Sequence, residues 1–171
     1  MSSVLPGART ETSAARTQTL EGATTEPVSG QAEGKQTALL EKVTVGRHEG
    51  FDRVVLQFKD ALPGYQVSYV KPPLRQDGSG EVVKVAGKAF VRVHLEPASG
   101  FDLGKKEGEL VYKGPRRIGG AQFGASVLHE AVQISDFEAV LTWAIGLDDR
   151  VGFRVTTLHD PSRLVVDFSS R

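Results

Sequence analysis

The chain has 171 residues, room for about one domain, and its 21 Lys and Arg balance 21 Asp and Glu, so the formal net charge is zero. That balance disfavours a general nucleic-acid binder, which draws most of its affinity from a basic surface set against phosphates. The absence of cysteine excludes disulfides, zinc–thiolate sites and lipid attachment through Cys, and no apolar run reaches the roughly 18 residues of a membrane-spanning helix.

Residues 1–39 are rich in Ser, Thr, Gly, Ala and Glu, and no aromatic residue occurs before Phe51. Such a stretch buries too little apolar surface to offset chain entropy, so 1–39 reads as a flexible tether and 40–171 as the folded domain. The start, Met1-Ser2-Ser3-Val4-Leu5-Pro6, lacks the charged-then-apolar layout of a signal peptide. That leaves a cytoplasmic protein, or an export signal trimmed away or encoded upstream of Met1.

Thr37–Lys42 suggests a single helical turn, after which Val43-Thr44-Val45 alternates as a strand. The stretch from Gly46 to Phe58 is a turn feeding a strand with Val54, Leu56 and Phe58 on one face at period two. Pro63-Gly64 turns the chain, Tyr65, Val67 and Tyr69 alternate as the next strand, and Pro72-Pro73 stops it. Asp77-Gly78-Ser79-Gly80 is a tight-turn signal. Ala86-Gly87 then reads as a two-residue hairpin loop between Val82–Val85 and Ala89–Leu95. From Pro97 to Ala125 the chain is Gly- and charge-rich, with only Leu110-Val111-Tyr112 fit for a short strand. Strands resume at Val132 and Ile134, at Ala139–Ile145 and, after Asp148-Asp149, at Val151–Thr157. The closing segment, Asp160–Phe168, repeats the grammar of the opening one: a turn, an Arg, and an apolar run ending in Phe. Seven to ten short, mostly antiparallel strands with regular turn signals and no convincing long helix predict an all-β domain, a single β-sandwich or barrel-like fold.

Chemistry-bearing motifs are sparse. The four histidines fall in different segments with no metal-ligand spacing, although His48, Glu49 and Asp52 could form a polar cluster in one turn. No Gly-x-Ser-x-Gly elbow or Cys nucleophile is present, so covalent catalysis has no candidate, and no metal or cofactor motif stands out. A small hydrolase with converging carboxylates is a minor alternative. Binding has better candidates. Arg116 and Arg117, adjacent in a glycine-rich loop near Lys105, Lys106 and Lys113, suit a carboxylate or phosphate through guanidinium forks. Tyr65 and Tyr69 share a strand face that suits glycan stacking, against the plainer reading of half-buried sheet tyrosines. Phe90, Arg92 and His94 alternate outward from Val91, Val93 and Leu95 and form a mixed aromatic–cationic patch if that face is open. Trp143, on a face with Leu141 and Ile145, is expected in the core.

Five segments in order carry a family resemblance: Arg47–Val55; Pro63-Gly64-Tyr65 with Val67 and Tyr69; Phe137-Glu138 with Val140-Leu141, Trp143 and Gly146-Leu147; Gly152-Phe153-Arg154-Val155; and Pro161 with Arg163-Leu164-Val165-Val166-Asp167. Over nearly all of 40–171 the chain resembles the AMIN-like domain of secreted proteins and lipoproteins, mainly actinobacterial. Its closing segment also resembles the AMIN domain of cell-wall amidases and pilus secretins. The resemblance implies a β-sandwich or barrel-like module of the cell envelope, without catalytic residues, that binds peptidoglycan, another wall polymer or an envelope protein. The chain departs from the family in showing neither a signal peptide nor a lipobox Cys. An alternative reading is a structural or interaction module pairing through a sheet edge.

Overall fold

A computed structural model describes residues 20–170. Nearly all of its regular structure is strand. In chain order the strands are β1 (Val28–Gly30), β2 (Ala38–His48), β3 (Phe51–Lys59), β4 (Gly64–Val70), β5 (Leu74–Arg75), β6 (Val82–Val83), β7 (Ala89–Glu96), β8 (Ala98–Ser99), β9 (Phe101–Asp102), β10 (Glu109–Leu110), β11 (Arg117–Gly119), β12 (Leu128–Phe137), β13 (Val140–Leu147), β14 (Phe153–Leu158) and β15 (Ser162–Ser169). A short 3₁₀ turn covers Ala121–Phe123. The all-β expectation holds.

Two sheets carry the fold. One has six strands in the order β1-β4-β7-β13-β12-β11, the other five in the order β14-β15-β3-β2-β8. All pairings within them are antiparallel except the short β2–β8 contact. The period-two patterns turn Val54, Leu56 and Phe58 of β3, and Leu164, Val166 and Phe168 of β15, toward Val91, Val93 and Leu95 of β7 and Leu141, Trp143 and Ile145 of β13 in one shared core. Trp143 is fully buried, edge-on to Tyr112 with ring centroids 5.8 Å apart. β3 and β15 lie side by side in register from Phe51↔Ser169 to Phe58↔Ser162.

Three local expectations are corrected. The folded region begins before residue 40. Leu20 is 7% exposed, Thr24 and Phe153 exchange both backbone hydrogen bonds at 2.9 and 2.8 Å, and β1 forms an edge of the six-stranded sheet against β4. Within the expected tether, Leu20 and Ala38 are buried and Val28–Gly30 pairs with β4, while residues 31–37 are mostly exposed and residues 1–19 lie outside the described residues. Second, Thr37–Lys42 is not helical: Ala38 already opens β2, and a register shift between Leu40 and Lys42 hides the alternation there. Third, Ala86-Gly87 is not a hairpin loop, because β6 pairs back with β5 across the Asp77–Gly80 turn rather than forward with β7.

Two buried carboxylates tie the sheets and strands together. Asp52, on the inward face of β3, is fully buried and accepts hydrogen bonds from the backbone N–H groups of Ser126 (2.9 Å), Val127 (2.7 Å) and Leu128 (3.0 Å), where β12 of the other sheet begins. Asp167, on the outward face of β15, is also fully buried. Arg53 grips it bidentately at 2.7 and 3.0 Å, and Arg154 reaches it at 2.8 Å. These three residues are cross-strand neighbours, Arg154↔Asp167↔Arg53, which explains the Arg and Asp in the opening and closing segments.

A cationic pocket beneath the β5–β6 ribbon

The site begins with β7. Its alternation sends Val91, Val93 and Leu95 into the core and turns Phe90, Arg92 and His94 to the outer face of the six-stranded sheet. An uncovered face would leave Phe90 in water. Instead the segment 71–88, containing the β5–β6 ribbon, folds back over it. Leu74 joins Phe90, Val132, Ile134 and Ala144 in a second apolar cluster, with Val70, Val83 and Val85 packed against it. The cover is pinned at one end by the Ala86 N–H donating to Glu130 Oε2 at 2.7 Å and the Lys88 N–H donating to the Leu147 carbonyl at 2.8 Å. Gly146 of β13 lets it approach, since a Cβ there would stand 1.8 Å from the Ala86 carbonyl oxygen.

Toward the Lys71 end the cover leaves a pocket of about 240 Å³, whose polar lining is Lys71, Arg75, Asp77, Arg92, His94 and Thr142. Three fixed cations face one carboxylate, a surplus of two positive charges with His94 neutral. Asp77 is engaged by the Ser135 hydroxyl at 3.3 Å, Arg75 donates to the Gly80 carbonyl at 2.9 Å, and His94 Nε2 lies 3.1 Å from Glu96 Oε1. Arg92 differs from these. Its Nε is buried without a hydrogen-bond partner, and no carboxylate pairs with it among the described residues. Arg92 as a whole is half-buried and lines the pocket, so its other guanidinium N–H groups are the ones left to meet a ligand.

The other candidates are dispersed. Arg117 lies on the same face and register row as Arg92, through Arg117↔Val132↔Ala144↔Arg92. Three strand spacings, roughly 14 Å, separate them. Arg117 donates to Glu130 at 2.6 Å, the carboxylate that also pins the cover, so its guanidinium is already engaged. Arg116 is exposed beside it, Lys105 and Lys106 are exposed between β9 and β10, and Lys113 is exposed in the next loop. Tyr65 and Tyr69 occupy the opposite face of the sheet from Arg92 and His94 and pack against the core. The Tyr69 hydroxyl accepts the Val151 N–H at 2.8 Å and donates to the Val151 carbonyl, Arg150 covers its ring at 4.4 Å, and burial pushes its pKa up despite that bond. Tyr65 lies against Gly30 of β1. The plainer reading of both tyrosines, as half-buried sheet residues, matches these positions.

The expected cluster of His48, Glu49 and Asp52 does not form, because Asp52 points inward while His48 stacks on Phe51 at 4.9 Å. His129 pairs with Asp148 and His159 with Glu33. Among the described residues no group of three or more His, Cys, Asp or Glu is placed to hold a metal ion. A larger cleft of about 820 Å³ near the β12–β13 turn is lined by Asp60, Asp102, Asp136 and Glu138 together with Lys35 and the exposed Leu103. There Asp136 is held by the Ser99 hydroxyl (2.8 Å) and the Gly100 N–H (2.8 Å). Lys71 and Arg75 went unnoticed in the sequence because they flank Pro72-Pro73 on a short segment whose partner face no periodicity discloses.

Two packed β-sheets with a small charge-lined pocket under a ribbon define an all-β module of the sandwich type. The family model of the AMIN-like domain matches residues 38–170, and the chain belongs to that family. AMIN-like domains are generally non-catalytic modules associated with binding or targeting at the cell wall. No curated protein and no solved structure matches the chain.

Proposed function

We propose that this protein is a non-catalytic binding module of the cell envelope, and that it engages peptidoglycan or another wall polymer through the pocket beneath the β5–β6 ribbon. Family membership supports the envelope setting. The observation that carries the choice of surface is Arg92, a half-buried cation on a central strand that no carboxylate pairs with among the described residues, with a surplus of positive charge around it. A long-strand floor beneath an anchored ribbon keeps those donors in place before a ligand arrives, which limits the ordering cost of binding. Arg117, held by Glu130 where the cover is pinned, lies outside the pocket, and the exposed Arg116 precedes it.

Co-sedimentation of the chain with purified cell-wall sacculi across a salt series tests this reading. Binding that weakens with salt and falls in Arg92→Gln, with far-UV circular dichroism unchanged, is the expected result. Absence of binding at every salt concentration, or full binding by Arg92→Gln, would sink it.

A further inference from the structure

We infer that the pocket is a phosphate-group site that takes one phosphodiester of a wall polymer, an assignment that rests on the binding reading above. The donors come from opposite sides. Arg92 on β7 and the Thr142 hydroxyl on the adjacent β13 form the floor with His94, while Lys71 and Arg75 belong to the cover. A planar carboxylate is satisfied by one guanidinium fork in its own plane. Donors on both floor and cover suit a phosphodiester, whose two non-bridging oxygens accept hydrogen bonds from above and below the O–P–O plane as well as within it. The surplus of two positive charges over Asp77 leaves room for the single charge of a diester. Size agrees: about 240 Å³ is below the usual range of roughly 300–1,000 Å³ for pockets that enclose a whole ligand. One ionic group enters, and the rest of the chain stays outside the pocket.

The first arm of the test is a titration of the full chain with glycerophosphoglycerol, followed by amide NMR and run beside acetate as the carboxylate control. Saturable shifts at Arg92, His94 and Thr142, about tenfold weaker for acetate and about tenfold weaker in Lys71→Gln, are expected. Lys71 is exposed, so that variant tests the pocket without threatening the fold. Equal affinity for acetate, no saturable shift, or no effect of Lys71→Gln would overturn the assignment. In the second arm, sacculi stripped of phosphodiester polymers should no longer bind. Retained binding would overturn the phosphate inference while leaving the wall-binding reading in place. No binding to unstripped sacculi, with the diester titration intact, would do the reverse, leaving the phosphate site and removing the wall polymer as its source. Vesicles of anionic phospholipid should not bind, and binding to them through Arg92 would place the phosphate on a lipid headgroup and contradict the polymer source.

Discussion

Asp52 is the residue whose replacement should cost the fold most per atom removed. In Asp52→Ala, the buried backbone N–H groups of Val127 and Leu128 and the part-buried one of Ser126 lose a charged acceptor now 2.7 to 3.0 Å away. Each orphaned donor costs about 1–3 kcal/mol, and a water entering the vacated volume can satisfy one or two of them, so the net loss should be about 3–5 kcal/mol. Asp52→Asn keeps one acceptor oxygen but loses the charge and turns an amide toward N–H donors, so it should lose about half as much. Urea unfolding of both variants, followed by tryptophan fluorescence, reports the free-energy change directly, since Trp143 is buried in the same core. With marginal stability typical of a domain, about 5–15 kcal/mol, the alanine variant remains measurable but sits near the lower edge. A loss below about 1 kcal/mol in Asp52→Ala would refute the view that this carboxylate holds the start of β12 against β3.

Other perturbations probe different parts of the structure. Asp167→Asn and Arg53→Gln should each destabilise by about 2–3 kcal/mol, less than for a fully buried pair because both arginines keep water contact. The double variant should fall short of their sum, and additivity in a double-mutant cycle would deny the coupling. Gly146→Ala drives a Cβ to 1.8 Å from the Ala86 carbonyl. It should detach the ribbon, seen as new protease cleavage within residues 71–88, and unchanged digestion would contradict the packing. The Leu62 N–H, at 2.8 Å, and then His159 hold the Glu33 carboxyl below its usual pKa of 4.5. The stability this adds is complete above that value and is lost as pH falls through the lower folded pKa. Urea midpoints should therefore decline less steeply below about pH 4.5 in Glu33→Gln than in the native chain, and parallel declines would count against it.

The core was readable because its strands obey period two without interruption. Val54, Leu56, Phe58 and their partners on β15 alternate cleanly, and Trp143 sits among neighbours that share its face. Asp52 follows the same rule, two residues before Val54 and so on the inward face, although its polarity invited a surface reading. The segments missed are those where local pattern and tertiary role diverge. Val28-Ser29-Gly30 has no alternation, and only an edge position beside β4 makes it a strand. Ala38-Leu39-Leu40-Glu41-Lys42 is composed of helix formers, but pairing with β3 overrides that propensity. Arg92 and His94 were legible as outward residues of β7. The ribbon that converts their face into a pocket was not, because β5 and β6 are two residues each and their packing partners are distant in sequence. For Tyr65 and Tyr69 the shared face was correct, but the position of Val67 between them already marked that face as the core side.

The central claim, that ligand binds beneath the ribbon, is tested most directly by hydrogen–deuterium exchange of the full chain with and without soluble wall fragments that carry their phosphodiester polymers. Occupation of the pocket should slow exchange in residues 71–75 and in β7 around Arg92–His94, with little change at Tyr65, Tyr69 or the 101–110 ribbon. Protection confined to other surfaces, or none at saturating fragment, would contradict it.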